Sequence, residues 1–561
     1  MSHLTNASDS QVNGLNSEAE NFFSLLRDAD QNLWPGCELT KLSLIVLLFH
    51  TKCTNKWSNK SFNDLLGILQ LAIPNGKCLP KTFVEAKKVI KTLGLGYEKI
   101  HACQNNCQLY WKDKANDDNC SICGASRWRM IRGHSSSTRR KKKGIPAKVL
   151  RYFPLKPRLK RLFMSKQAAT LMRWHEEERI KDGALRHPTD SEAWKSFDSK
   201  HPDFSLDSRN VRFGLASDGF NPFGMLSSTY SGWPIILIPY NLPPWLCMKE
   251  SSFILSLLIL GPSGPENQID VYLQPLIDEL KELWEVGIDT YDASRDGSFM
   301  LKAALMWTIN DFLAYGILSG WNVHGGFACP CCNVETCSRR LKYGRKYCFM
   351  GHRRFLEPNH KFRYDKVSFD GTEEFRTTQS RPSGTTVLDQ LEEINNFENS
   401  QTWKKKSIFF TLPYWKSNLL RHNLDVMHIE KNVFENVYGT LANIEGKSKD
   451  NLSARLDLQD LNIRAELHPE NRGSNRLYLP PACYALSRDE KKIFYTFLKS
   501  IKVPDGYAGN ISRSVNVTKG KMFGLKSHDC HILMQQLLPI SLRGLLSKNV
   551  TAPLFDLCGY I

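Results

Sequence analysis

The sequence lacks an apolar run long enough to cross a bilayer. The longest run, Phe253–Leu260, is broken only by Ser256 and stops at Gly261-Pro262, so it has the length of a strand. The N-terminal residues, MSHLTNASDSQVNG, are polar and lack the apolar core of a secretory signal. We therefore expect an intracellular, reducing environment, in which the 16 cysteines are metal ligands or buried thiols rather than disulfides.

Acidic residues are missing between Asn119 and His175, whereas 16 lysines and arginines lie between Arg127 and Arg173. This basic tract supplies most of the net charge of +18. Such a block attracts polyanions, nucleic acid first and anionic membranes second, although a solvated, disordered linker has the same composition. The cluster Arg139–Lys143 also resembles a nuclear localisation signal. The candidate nucleic-acid contacts are Arg139, Arg140, Lys141, Lys142, Lys143, Arg151, Lys156, Arg158, Lys160 and Arg161.

The N-terminal region is polar at first and then helical in pattern. Residues 1–20 are expected to be flexible. From Glu18 to about Leu95, apolar residues recur every three or four positions, as in FNDLLGILQLAI and LPKTFVEAKKVIKTLG. This pattern predicts a plain helical packing unit.

A first cysteine cluster follows in HACQNNCQLYWKDKANDDNCSIC. Cys103 and Cys107 form one close pair, Cys120 and Cys123 form another, and twelve residues separate the pairs. Two such pairs suit a tetrahedral zinc site with four thiolates, in which the metal replaces a hydrophobic core. His101 could substitute for one ligand, and four unrelated buried thiols are the alternative.

The strongest structural signal lies between residues 211 and 311. VRFGLAS, STYSGWPIILIPYNLP and FILSLLIL predict three strands, VYLQPLIDELKELWEVG predicts a helix, and LKAALMWTI predicts another strand. A meander followed by a parallel return through a helix places the first and last strands side by side. Asp218 and Asp311, which follow these strands, would then meet at one edge and could hold Mg²⁺ or Mn²⁺. Alternatively, both aspartates merely cap turns or helices.

A second cysteine cluster, HGGFACPCCNVETC, contains one C-x-x-C knuckle, Cys329 and Cys332, and lacks a second. The missing half is expected from His422 and His428 in RHNLDVMHIEKN, which would complete a zinc site. Both histidines could instead be hydrogen-bonded core residues. The role of Asp425 is open between zinc ligand, helix cap and partner of His428.

Several segments together resemble the plant CACTA-type (En/Spm-like) DNA transposases. They include RNVRFGLASDGFNPFG, SGWPIILIPYNLPPWLCMK, WTINDFLAYGILSGW, ACPCC, KYCFMGHRRFL and RHNLDVMHIEKNVFENVYGTL. Further similar segments are GLGYEKIHAC, LRYFPLKPRLKRLFMS and HPDF, so the similarity runs from about residue 20 to about residue 545. Leu313, Gln104 and the ending TAPLFDLCGYI depart from the family pattern, and the chain stops earlier than the family's usual length.

The resemblance implies a recombinase that moves DNA by cut-and-paste at terminal inverted repeats. Asp218, Asp311 and a third acid would hold two Mg²⁺ or Mn²⁺ ions. By the resemblance, the third acid should follow the D-x-x-H motif of Asp425 and His428, and Glu430 is expected there, with Glu435 in reserve. Glu430 is also turned about 200° from the helix face shared by Asp425 and His428. Expected partners are double-stranded DNA, further copies of the chain on that DNA, and a second element-encoded DNA-binding protein, with no membrane. The expected location is the nucleus, and an inactive, transposase-derived DNA-binding protein is the alternative.

The expected fold class is α/β: an RNase H-like catalytic core, a mixed sheet with flanking helices, that carries a zinc-stapled insertion. A helical N-terminal region and a small zinc-ribbon-like module accompany the core. The expected domains are a flexible N-terminus (1–20), a helical region (21–100), a zinc-binding module (101–126), a basic DNA-binding tract and helix (127–208), the transposase core (209–450) with an insertion at about 321–420, and a truncated C-terminal region (451–561).

Overall fold

The computed structural model describes residues 32–74, 76–91, 96–129, 144–223, 230–378, 380–473, 477–504 and 511–560. The chain divides into two compact units, the first formed by residues 1–215 and 219–305, the second by residues 216–218 and 306–561. No helix in the described ranges is both long and apolar enough to cross a membrane.

Helices and strands are both present throughout the described chain. The strands are β1 (Glu98–Ala102), β2 (Leu109–Tyr110), β3 (Lys148–Tyr152), β4 (Val211–Ser217), β5 (Trp233–Pro239), β6 (Ile254–Ile259), β7 (Ile288–Asp292), β8 (Gly297–Leu301), β9 (Ala303–Asn310), β10 (Ser338–Arg340), β11 (Tyr347–Phe349), β12 (His422–Leu424), β13 (Glu470–Asn471), β14 (Leu477–Tyr478), β15 (Val515–Asn516) and β16 (Lys521–Met522). The α-helices are α1 (Lys41–Thr54), α2 (Asn59–Ala72), α3 (Phe83–Ile90), α4 (Lys156–Phe163), α5 (Lys166–Leu171), α6 (Trp174–Glu177), α7 (Glu192–Lys200), α8 (Pro202–Ser205), α9 (Pro244–Cys247), α10 (Ile269–Glu285), α11 (Phe312–Ser319), α12 (Lys361–Tyr364), α13 (Gly384–Glu392), α14 (Val426–Leu441), α15 (Leu452–Asp460), α16 (Arg488–Ser500), α17 (Ile511–Ser514), α18 (Ser527–Ile532), α19 (Leu538–Ser541) and α20 (Lys548–Tyr560).

The N-terminal helices form where the apolar spacing predicts them. Helices α1, α2 and α3 begin at the hydroxyl caps Thr40, Ser58 and Thr82, whose side chains accept backbone N–H groups that have no partner within the helix. Their apolar faces pack around Phe62 and Leu66. The expected flexible N-terminus and the first part of the helical pattern lie outside the described residues.

A mixed sheet orders its eight described strands as β12-β9-β4-β5-β6-β3-β1-β2. Strands β9 and β12 are parallel, with Leu424 opposite Asn310, and β5 and β6 are antiparallel. Strands β4 and β9 are neighbours. At their starts, Val211 N–H donates to the Lys302 carbonyl at 2.9 Å; near their ends, the Asn310 amide, oriented to donate, lies 3.2 Å from the Ser217 carbonyl. Their starts and ends coincide, so β4 and β9 are parallel.

The sequence pattern between residues 211 and 311 predicts β4, β5, β6, α10 and β9 correctly. It misses the hairpin of β7 and β8, in which Ile288 pairs with Leu301. It also misses β3, because the basic residues of KVLRY hide a five-residue strand that pairs with both β1 and β6. Part of the basic tract is therefore part of the sheet and not a linker.

Glu279 joins α10 to the segment after β3. Its buried carboxylate accepts hydrogen bonds from Tyr152 Oη at 2.5 Å, Leu155 N at 2.8 Å and Lys156 N at 2.8 Å. We expect Glu279→Ala to lower the free energy of unfolding by about 3 kcal/mol, since the substitution leaves buried donors without partners. Glu282→Ala on the same helix removes only an ion pair between an exposed carboxylate and Lys156, so it should cost less than about 1 kcal/mol. Urea denaturation measures both values, and equal losses would contradict the assignment.

In the second unit, the insertion expected at 321–420 has a small core of its own. Trp321 and Trp403 form a β-bridge and pack edge to face, with ring centroids 4.7 Å apart. Val387 and Leu391 of α13 pack against them. The two ends of the insertion are thus held together by aromatic packing and backbone pairing.

The C-terminal helices of the same unit share a second core. Phe434 and Tyr438 of α14 pack with Tyr495 of α16 and Leu533. Met522 N–H donates to Tyr438 Oη at 2.9 Å, and the same hydroxyl lies 2.9 Å from Tyr495 Oη. This packing fixes α14, the helix that carries Glu430.

Candidate active site and metal centres

Asp218 and Asp311 occupy the same edge of the sheet. Each follows the last residue of a strand, β4 or β9, and these strands are parallel neighbours. The Asp218 side chain is exposed. Asp311 is partly buried and begins α11, where its Oδ1 accepts the Ala314 N–H at 2.6 Å. Asp311 therefore caps a helix and lies at the edge that the strand order predicts, whereas its role as a metal ligand stays a prediction.

Asp425 lies at this edge as well. It follows β12, the strand next to β9, and its N–H donates to the Asn310 carbonyl at 2.7 Å. The side chain caps α14 by accepting the Met427 N–H at 2.9 Å, and Asp425 Oδ2 lies 3.3 Å from His428 Nδ1. Two of the three roles left open by the sequence, helix cap and partner of His428, are therefore those the structure displays. A signal for its position exists in the sequence: like Asp218 and Asp311, it directly follows a strand.

Glu430, the expected third acid, lies further along α14. Its side chain is 6% exposed, and Oε2 lies 2.5 Å from His531 Nδ1 on α18. Glu435 is partly buried on the same helix. Within the described ranges, the carboxylate oxygens of Asp218, Asp311 and either glutamate do not form a group of three within 4.8 Å of one another. Sequence reasoning missed His531, whose partner is 101 residues away.

The four residues expected to hold a second zinc ion do not converge in the described structure. His422 points into an aromatic pocket, with ring centroids 5.5 Å from Tyr315, 5.9 Å from Phe409 and 5.6 Å from Trp415. Its Nδ1 lies 2.8 Å from Thr308 Oγ1, and burial lowers the pKa of His422 to about 3. The core-histidine alternative thus describes His422 better.

The remaining members of that expected site have other contacts. Cys332 N–H donates to Cys329 Sγ at 3.4 Å, as in a metal knuckle. His428 pairs with Asp425. In the residues that the structure describes, the first cysteine cluster alone brings three or more metal-ligating atoms within 4.8 Å of one another.

The first cysteine cluster has the geometry of a metal centre. The sulfur atoms of Cys103, Cys107, Cys120 and Cys123 all lie within 4.8 Å of one another, and Cys103 Sγ is 3.5 Å from Cys123 Sγ. A tetrahedral zinc ion with bonds of about 2.3 Å needs sulfur atoms about 3.8 Å apart, so the cluster could hold zinc with little adjustment. His101 does not belong to this group of ligating atoms, and its Nδ1 accepts the Arg127 Nε–H at 2.9 Å.

The protonation of this cluster is uneven. The Ala125 backbone N–H, followed by the Asn105 side chain, lowers the pKa of Cys123 to about 6. Burial, followed by the neighbouring Cys123, raises the pKa of Cys107 to about 12, and burial also raises the pKa of Cys103. One thiolate is therefore available near neutral pH, and the other ligands must release protons when a metal binds.

The candidate nucleic-acid contacts divide into several groups. Arg139, Arg140, Lys141, Lys142 and Lys143 lie outside the described residues. Lys160 is exposed on α4, and Arg151 is partly exposed on β3.

The remaining three candidates are buried or partly buried. Lys156 pairs with Glu282. Arg158 is 7% exposed, and its guanidinium donates to the carbonyls of Pro154 at 2.6 Å and Gly96 at 3.0 Å. Burial lowers the pKa of Arg161. The Arg158 side chain thus faces inward in this structure, and its contact with nucleic acid stays a prediction.

Part of the chain is similar to a family of known proteins. No curated protein matches the chain. Residues 182–394 match the family model described as transposase family tnp2. The matched range contains Asp218, Asp311 and the second cysteine cluster, and it ends before Asp425. Over these residues, the chain is therefore similar to the transposases of family tnp2.

Proposed function

We propose that the chain is a CACTA-type cut-and-paste DNA transposase that cleaves and joins DNA at terminal inverted repeats. One observation carries the proposal: Asp218, Asp311 and Asp425 follow three neighbouring parallel strands, and the first two lie in a segment that matches a transposase family. Paired carboxylates at one edge of a sheet suit divalent metal ions that act on phosphates.

The strand order supports an RNase H-like core. Strands β4, β5 and β6 form a meander: Phe220 after β4 pairs antiparallel with Gly232 before β5, and β5 pairs antiparallel with β6. Helix α10 then leads back to β9, which lies parallel to β4 on the other side, and β12 is added parallel to β9. An RNase H-like core has this arrangement of three antiparallel strands followed by two parallel ones.

The carboxylates fit the ions that the resemblance implies. Their oxygen atoms are the hard ligands that Mg²⁺ and Mn²⁺ prefer. When bound, such ions would stabilise the charge that develops on the phosphate oxygens and activate the attacking water. Asp218 presents an exposed carboxylate. In Asp311 the helix cap occupies Oδ1, so we assign Oδ2 to a metal.

The third acid is proposed from the start of α14, which offers two candidates. The resemblance favours Glu430, whose carboxylate would have to leave His531 in order to reach a metal at the sheet edge. Position favours Asp425, which hydrogen-bonds through its own N–H to the residue before Asp311. Both carboxylates lie in the second unit together with Asp218 and Asp311.

The proposed partner is double-stranded DNA carrying the terminal inverted repeats, bound by more than one copy of the chain. A second element-encoded DNA-binding protein and a nuclear location complete the proposal. The supporting observations are the net charge of +18 and the basic residues around Arg139–Lys143, which suit a phosphate backbone.

The proposal is tested by incubating the purified full chain with a duplex that carries one terminal repeat and flanking DNA. We expect strand cleavage that leaves a free 3′-hydroxyl, and joining of that end to a second duplex, in Mn²⁺ but not in Ca²⁺. The same preparation of Asp311→Asn excludes a contaminating nuclease. Repeat-specific binding without cleavage would instead support the non-catalytic DNA-binding alternative.

A further inference from the structure

The hairpin Ser338–Phe349 in the insertion has an unusual composition. Its twelve residues, SRRLKYGRKYCF, contain five cations, three aromatic residues and no acid. All eight of these cationic and aromatic side chains are exposed: Arg339, Arg340, Lys342, Tyr343, Arg345, Lys346, Tyr347 and Phe349. The basic tract at 127–173 is conspicuous in the sequence because it contains 16 cations, whereas this hairpin contains only five.

The register of the hairpin gives it two different faces. Arg340 pairs with Tyr347 and Ser338 with Phe349, whereas Arg339 pairs with Cys348. Because side chains alternate along a strand, Arg340, Tyr347 and Phe349 share one face. Tyr347 is 45% exposed and Phe349 46% exposed, so this face meets solvent. We call Arg340, Tyr347 and Phe349 the ribbon face.

The opposite side of the hairpin is anchored. Asp457 of α15 is buried, and its carboxylate accepts the backbone N–H groups of Tyr343 and Gly344, both at 2.7 Å. Arg339 Nη2 lies 3.3 Å from Asp460 Oδ2 on the same helix. The turn is therefore held in place by charge-assisted hydrogen bonds, and the ribbon face is preorganised.

A solvated basic loop would not need the aromatic side chains. Two large aromatic residues left half exposed beside a cation suggest a surface that becomes covered by a partner. Cations contact phosphate oxygens, aromatic rings pack on sugars and bases, and the major groove of DNA admits a two-stranded β-ribbon. The absence of acids in the hairpin sequence matches a polyanion better than a protein surface of mixed charge.

We propose that the ribbon face docks on double-stranded DNA, with Arg340 on a phosphate and with Tyr347 and Phe349 against the groove wall. The inference rests on the proposed function, since it names a surface by which the insertion would hold the element's DNA. It does not depend on catalysis.

The test measures binding of the full chain to a fluorescent 30-base-pair duplex by anisotropy, without added Mg²⁺ or Mn²⁺. Arg340→Glu is compared with Arg488→Glu, a change at an exposed cation of the C-terminal helical region. The two variants change the net charge equally. We expect Arg340→Glu to weaken binding about 10-fold more than the control. Removing one phosphate contact should also reduce the slope of log K against log salt by about 0.9.

A second variant, Tyr347→Ala with Phe349→Ala, keeps the charge and should weaken binding about 10-fold with an unchanged salt slope. Equal effects of Arg340→Glu and Arg488→Glu, or full affinity of the aromatic variant, would overturn the proposal, as would a defect seen only with RNA. Thermal melts confirm that each variant is folded. Because cleavage is not measured, a chain that binds through the hairpin but never cuts DNA would refute the proposed function and keep this inference.

Discussion

Asp218→Asn and Asp311→Asn are each expected to reduce the rate of metal-dependent strand cleavage by about 10³-fold or more. This loss corresponds to an increase of about 4 kcal/mol in the activation free energy. Each substitution removes one negative charge from the edge of the sheet and leaves the side-chain volume unchanged. The fold should survive, because asparagine caps helices as well as aspartate does, so Asp311→Asn keeps the bond to the Ala314 N–H. Single-turnover cleavage in Mn²⁺ measures the rate.

The matched control is Asp289→Asn, which removes an exposed carboxylate from β7, a strand of a separate two-stranded sheet. It should leave both the rate and the DNA affinity unchanged. Cleavage that persists in either Asp218→Asn or Asp311→Asn would refute the catalytic assignment. Loss of DNA binding together with cleavage would show that the aspartate serves the fold.

The same assay separates the two candidates for the third acid. Asp425→Asn retains the cap on the Met427 N–H, and Glu430→Gln retains a side-chain oxygen that can accept a hydrogen bond from His531. Neither substitution should unfold the protein, so a rate loss reports metal binding. The true ligand gives a loss as large as that of Asp218→Asn. A rate that falls less than about 10-fold identifies a residue that only positions its neighbours.

Cys120→Ser is expected to lower the zinc content by one ion per chain. It should also lower the free energy of unfolding of the first unit by about 3 kcal/mol or more. Structural zinc sites supply folding free energy directly, and Cys120 is buried within the cluster, 3% exposed. Zinc per chain is measured by elemental analysis, and stability by hydrogen exchange in β1 and β3. Cys53→Ser, at an exposed thiol, is the control and should change neither.

Two further measurements test the assignment of zinc to the first cysteine cluster. Zinc affinity should fall as the pH falls, because Cys103 and Cys107, whose pKa values burial raises, must lose protons to become ligands. Cys332→Ser tests the second cluster: a further loss of one zinc equivalent would support a site at Cys329 and Cys332, whereas unchanged zinc content would limit the chain to one centre. Unchanged zinc in Cys120→Ser would contradict the assignment of the first cluster.

Local sequence patterns predict the parts of the fold and of the site that depend on neighbouring residues. The apolar runs around Val211–Ser217 and Ala303–Asn310 and the helix between them predict the strand order, and that order predicts the position of Asp218 and Asp311. The spacing of Cys103, Cys107, Cys120 and Cys123 likewise predicts a cluster that the structure assembles.

Contacts between distant segments could not be predicted in this way. His422 looks like a metal ligand beside His428, yet residues from three separate elements enclose it and leave it neutral. Arg158 belongs to a basic tract, but its guanidinium satisfies the carbonyl of Gly96, 62 residues earlier. The pairing of Glu430 with His531 depends on how α14 packs on α18, which helical periodicity does not report.

The order of the sheet also has a consequence for solubility. Both outer strands are very short: β12 has three residues and β2 has two. Short edges protect a sheet from pairing with another molecule. Strand β2 lies between Cys107 and Cys120, so the cysteine cluster holds it in place. If the cluster lost its structure and β2 detached, the five-residue strand β1 would become the edge strand. Its unpaired backbone groups could then pair with another chain and promote aggregation. By keeping β2 at the edge of the sheet, the cysteine cluster thus also protects the protein from self-association.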